Sequence, residues 1–209
     1  MPSGDLVLEN LQAVSGTELK ANFGNGETKT ITDFTPKPLE VGKETEVSFT
    51  YEDTNYSKNI KYVITINGSF ADSSQKILST ADTSSFTVDD IANVVLFFGE
   101  EYKIAEVKNG SFSITIDQNK PGGIAFLDSG NNYIGYLSLA EGLDSFPTQA
   151  ISKETGKIDL EEITFDESGM GTPDSNPLKD YITDKEKNLL ITAQSFFGCL
   201  LYTSDAADE

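Results

Sequence analysis

The chain has 209 residues, 34 of them acidic and 15 basic, and a formal net charge of -19. Every basic residue is a lysine, and histidine, arginine and tryptophan are all absent. These absences remove arginine's bidentate phosphate fork, the histidine-dependent triads and most catalytic zinc sites, and the charge opposes nucleic acid and anionic membrane surfaces.

Hydrophobic residues make up 37% of the chain, enough for a packed core. No stretch approaches the ~20 apolar residues of a membrane span, so no membrane insertion by this segment is expected. Met1 is followed by "PSGDLVLENLQAV", which has neither a basic n-region nor an apolar h-region. Either the protein starts here in the cytosol, or this methionine is internal to a longer gene.

Strand patterns dominate from the start, and residues 1–27 read as an N-terminal strand or hairpin segment. "ETEVSFTYE" places Val47, Phe49 and Tyr51 on one face, and "KYVITI" does the same for Tyr62, Ile64 and Ile66. "GSFSITID" turns Phe112, Ile114 and Ile116 inward and Ser111, Ser113 and Thr115 outward. A period of two marks a half-buried strand. "NVVLFFG" and "GIAFLD" are apolar on both faces and read as central strands. Asn25-Gly26, Asn67-Gly68 and Asn109-Gly110 each predict a type I′ hairpin turn, because Asn-Gly supplies two positive φ angles. Asn55, Asn67 and Asn109 also begin N-x-S sequons, taken here as by-products of turn chemistry.

In "TITDFTPKPLEVGKETEVSFTYED" a strand runs into a corner at Pro36 and Pro38, a turn follows, and then a core strand. This stretch resembles the opening of bacterial immunoglobulin-like modules, and the resemblance covers residues 28–90. "VKNGSFSITID", "GGIAFLDSGNNYIGYLSL" and "GKIDLEEITF" then follow in turn. With Gly110, Phe112, Asp159 and Leu160 in the motif places, residues 91–165 resemble a prealbumin-like β-sandwich of the carboxypeptidase-regulatory type. Glu161-Glu162 depart from that pattern. The resemblance implies a non-catalytic accessory module, with no active site to carry over. The fold expected is therefore mainly β: two β-sandwich modules, immunoglobulin-like and then prealbumin-like, with a short C-terminal helix.

Within the second module Ile158 and Leu160 share one parity, and Ile163 and Phe165 the other. A bulge or strand break is expected at Glu161-Glu162, since a one-residue shift otherwise flips a strand's faces. Gly169, Gly171, Pro173 and Pro177 mark residues 166–181 as a linker. Thr183 and Glu186 have capping-box spacing, and Leu189, Leu190, Ala193, Phe196 and Phe197 make one apolar face. An amphipathic helix over 182–198 is expected. "CLLYTSDAADE", Cys199–Glu209, resembles a translated sequencing adapter over ten consecutive residues. On that reading it is excluded from fold reasoning, and the natural protein continues past Gly198. The exclusion removes the only cysteine, and with Asp205, Asp208 and Glu209 gone the net charge moves from -19 to -16.

Paired carboxylates invite an acid–base reading, but Glu161 and Glu162 are strand neighbours on opposite faces and cannot flank one glycosidic bond. "DSGNN", with Asp128, Asn131 and Asn132, and "DESGMGTPDSN", with Asp166 and Asp174, offer hard oxygen ligands of the kind calcium takes. Neither has the residue order of an EF-hand loop, and Asx-rich turns form without metal. No cofactor is expected, with calcium at these five residues the one candidate. The composition and both resemblances together imply a non-enzymatic, extracytoplasmic accessory protein, secreted or on the cell surface, whose partner is a protein or a cell-surface glycan. The alternative is that these are the N-terminal modules of a larger extracellular enzyme with its catalytic part beyond residue 198.

Overall fold

The structure, a computed structural model, describes residues 6–71, 76–78, 85–98, 100–118, 120, 122–138, 145–146 and 154–175. It is mainly β. Three strands, β1 (Leu8–Ser15), β2 (Glu18–Phe23) and β3 (Thr28–Ile31), form one antiparallel sheet. A hairpin of β4 (Glu44–Tyr51) and β5 (Thr54–Lys61) forms another, and β7 (Lys76–Leu78) with β8 (Ser85–Thr87) a third. The remaining strands are β6 (Ile64–Phe70), β9 (Asn93–Phe98), β10 (Glu101–Glu106), β11 (Ser111–Ile116), β12 (Gly122–Leu127), β13 (Tyr133–Leu137), β14 (Ser145–Phe146), β15 (Lys157–Phe165) and β16 (Met170–Pro173). They make one sheet in the order β10-β9-β12-β13-β16-β15-β6-β11, with β14 beside β12. Its two end strands are consecutive in the chain and meet at a Lys108–Ser111 bridge, so this sheet is nearly closed and barrel-like.

The chain divides into two compact units. One comprises Met1–Ile66, Thr115–Asn119 and Thr148–Ile158; the other comprises Asn67–Ile114, Lys120–Pro147 and Asp159–Glu209. These units interleave along the sequence, whereas the modules expected over 28–90 and 91–165 are contiguous. In the first unit Leu11, Leu19, Phe23, Val47, Phe49 and Tyr62 are buried. The second is centred on phenylalanines. Phe70 meets Phe126 edge-on at 5.4 Å and lies 5.7 Å from Phe112, and Phe126 meets Phe165 at 5.1 Å. Offset and edge-on ring pairs of this kind add to simple area burial.

The expected alternation is present. Val47 and Phe49 are buried between exposed Ser48 and Thr50, and Phe112, Ile114 and Ile116 are buried while Ser111 and Ser113 are exposed. All of β12, and all of β9 after Asn93, is buried, as central strands require. At the expected shift in β15, Glu161 takes φ 56 and both glutamates are exposed, so Ile158, Leu160, Ile163 and Phe165 all reach the core. One left-handed residue absorbs the change of phase.

The turns differ in part from expectation. Asn109 and Gly110 take φ 52 and 69, and Lys108 and Ser111 exchange both amide bonds, so this is the type I′ turn predicted. At Asn25-Gly26 only Gly26 has positive φ. The Gly26 amide donates to the Phe23 carbonyl and the Phe23 amide to the Glu27 carbonyl, giving a three-residue loop that ends in a bulge. Asn67-Gly68 is no turn at all. It lies within β6, where a Cβ on Gly68 would come 2.8 Å from the Phe112 ring; the glycine makes room for that side chain. The β4–β5 turn instead uses Glu52 and Asp53, at φ 47 and 57.

Residues 166–175 are also corrected. They form a tight turn followed by β16, which pairs with β15 on one side and runs parallel to β13 on the other. The glycines and proline that read as linker punctuation have packing roles: a Cβ on Gly171 would lie 3.0 Å from both Phe165 and Ile163, and Pro173 ends the strand. The helix expected over 182–198 and the segment 199–209 lie outside the described residues.

Candidate binding groove on the hairpin face

The β4–β5 hairpin is in full antiparallel register, Glu44 opposite Lys61 through Tyr51 opposite Thr54. Alternation sends its small polar side chains to one face and its aromatic ones to the other. On the aromatic face Phe49 stacks on Tyr56 at 5.4 Å, Tyr56 meets Phe23 edge-on at 5.4 Å, and Phe23 stacks on Tyr51 at 5.2 Å. The Tyr56 hydroxyl donates to the Leu6 carbonyl at 2.9 Å, and Lys58 donates to the Glu9 carbonyl at 2.6 Å. Tyr51 donates to Glu27 at 3.1 Å, and Lys29 pairs with the same carboxylate at 2.8 Å. Lys29 first, and Asn25 after it, hold the Glu27 carboxyl below its ordinary pKa. The aromatic face is thereby fixed in place.

The opposite face is a polar array. Thr35 exchanges two backbone bonds of 2.9 Å with Ser48, and Ser48 is opposite Ser57, so Thr35, Ser48 and Ser57 form one row across three segments. Thr50 and Asn55 form the next row, and the Thr50 hydroxyl donates to Asn55 Oδ1 at 2.7 Å. That bond orients the amide with its NH₂ left as the donor. These five residues are exposed, and with Asp33 they line an open groove of about 610 Å³. Its side chains include one carboxylate and no lysine. The site was only partly legible in the sequence. The strand alternation placed the polar residues on one face, but no local signal joined Asp33 and Thr35 to them.

The five residues singled out as calcium candidates fall into turns. Asp128, Asn131 and Asn132 form the β12–β13 connection. Asp128 Oδ1 accepts the amides of Gly130 and Asn132 at 2.8 Å each, and Oδ2 accepts the Asn132 side chain at 2.8 Å. Asn131 supplies the left-handed residue, φ 65. Asp166 repeats the arrangement between β15 and β16: its Oδ1 accepts the Ser168 amide, the Ser168 hydroxyl and the Met170 amide at 2.7–2.9 Å, and Gly169 is left-handed at φ 82. Asp174 follows β16, with its amide on the Glu162 carbonyl. Burial works against ionisation of Asp128, but the side chain and amide of Asn132 and the Gly130 amide outweigh it and hold the carboxyl below its ordinary pKa. At Asp166 burial is likewise outweighed, by the Ser168 hydroxyl and the amides of Met170 and Ser168. These carboxylates close hairpins. Among the described residues no three acidic side chains gather into a cluster that could hold a metal ion.

A second cavity, of about 480 Å³, lies in the other unit between Phe70, Val88, Ile91 and Val107, with Asp89 and Asn109 at its lining. No helix among the described residues is long and apolar enough to cross a membrane. No family model matches the chain, and no curated protein or solved structure matches it either.

Proposed function

We propose that this chain is a non-catalytic accessory protein of the cell exterior, secreted or surface-bound, that acts by binding. The observation that carries the reading is the β4–β5 face: an open groove lined by small polar side chains and held rigid from behind by stacked aromatic rings. Rigid elements with fixed polar groups favour recognition, because little ordering is left to occur on binding. The finer architecture in this proposal is sandwich-type packing of the sheets, with an amphipathic helix over 182–198. Limited proteolysis tests it, with a first cut expected after 175.

The location is tested by following the tagged protein in its source cells. Recovery from the medium or the cell surface is expected, and retention in the cytoplasm would overturn the proposal. A protein partner is the second reading. It is favoured by β10, which ends its sheet and carries Tyr102 and Ile104 on one face at 67% and 51% exposure. The enzyme-attachment alternative is decided at the gene: a catalytic region encoded beyond residue 198 would establish it.

A further inference from the structure

Resting on the reading of a binding module, we propose that the β4–β5 groove takes a neutral oligosaccharide. Its lining matches a polyhydroxylated ligand group by group. The Asp33 carboxylate only accepts, and can take two hydroxyls of one sugar ring; the Asn55 NH₂ donates; Thr35, Ser48 and Ser57 do both, and Thr50, its proton held by Asn55, accepts. A sugar chain laid across the strands meets a new side chain every ~4.8 Å, the strand spacing. The threonine methyl groups supply contact for its C–H faces.

Charge selects against the other ligands such a face could hold. Asp33 is the one charged side chain of the lining, and the protein carries a net charge of -19, so sulfated or uronic-acid sugars and phosphates are repelled. A protein partner is less well matched, since interface centres are rich in aromatic residues and arginine and poor in serine. Phe34, Phe49 and Tyr56 also border the groove but are buried or half-buried, so the six small polar groups act without an exposed aromatic platform and predict weak binding.

The test is an NMR titration of the isotope-labelled chain with four neutral tetrasaccharides, a β-1,4-glucan, an α-1,4-glucan, a chitotetraose and a mannotetraose, and with one sulfated tetrasaccharide. Each is taken to about 10 mM, where a site with Kd on the order of 1 mM is nearly filled. At least one neutral sugar is expected to shift the amides of residues 33–35, 48–50 and 55–57 saturably, while the sulfated one leaves them in place. Asn55→Ala should weaken that binding about fivefold, the worth of one hydrogen bond. Ser57→Tyr, which fills the groove from an exposed strand position, should abolish it with Tm unchanged. No shift of these amides by any neutral sugar, or equal shifts by the sulfated one, overturns the inference and leaves the non-catalytic reading standing. The sugar's own anomeric signals in the same tubes separate the two: saturable binding followed by cleavage keeps the groove and overturns the non-catalytic reading.

Discussion

Gly135 and Gly169 lie back to back. The Tyr136 amide donates to the Gly169 carbonyl at 3.0 Å, and a Cβ built on Gly135 would overlap that carbonyl oxygen. Gly169 is itself left-handed at φ 82, and a Cβ there would sit 2.5 Å from the Ile134 carbonyl oxygen. Here β13 pairs in parallel with β16, and the approach is backbone on backbone, so no side chain can rotate away. Gly135→Ala should cost about 3 kcal/mol or more, at the top of the overpacking range. Gly110→Ala, left-handed but with open space around it, should cost only the conformational ~1–2 kcal/mol. Urea melts of both variants check this, and similar costs would mean that the close approach is absent in solution.

Phe112 is buried among Phe70 and Phe126, while Ser113 beside it is exposed. Phe112→Ala should cost ~3–5 kcal/mol and Ser113→Ala less than ~0.5 kcal/mol. The contrast reads the register of β11. Equal costs would mean that both faces are buried, and a larger cost at Ser113 would place the strand's faces the other way round.

Asp128 and Asp166 have folded pKa values below the ordinary carboxylate range, for the hydrogen-bonding reasons given above. A depressed carboxyl contributes stability that is complete above its unfolded pKa of about 3.9 and is lost as pH falls through its lower folded value. The double variant Asp128→Asn/Asp166→Asn should therefore show a smaller drop in Tm than the parent between neutral pH and acid. Parallel Tm–pH curves would show that the two turns are not stabilised by charge.

Calcium should leave Tm unchanged up to about 5 mM, above the range of weak extracellular sites. Asp128 and Asp166 already accept three donors each, so binding would have to break hairpin closures to free ligand oxygens. A saturable rise in Tm with calcium, lost in the Asp128→Asn variant, would reverse this expectation.

What the sequence by itself determined was local. Alternation in residues 44–51 and 111–116 assigned the buried and exposed faces of β4 and β11, because a strand's side chains must alternate. The parity change between Leu160 and Ile163 located an irregularity at Glu161-Glu162, because buried residues on both sides demanded one; that a left-handed Glu161 supplies it came from the structure. Glycine was where local reading failed. Asn67-Gly68 has the composition of a turn, yet Gly68 sits in mid-strand because Phe112 occupies the space a Cβ would need. Gly171 lies in a strand for a similar reason, against Phe165 and Ile163. Only the tertiary structure could decide these, since both depend on side chains far away in sequence. It also decided the groove: the backbone bonds between Thr35 and Ser48 set a separate segment beside the hairpin, and strand pairing across such distances leaves no periodic trace in the chain.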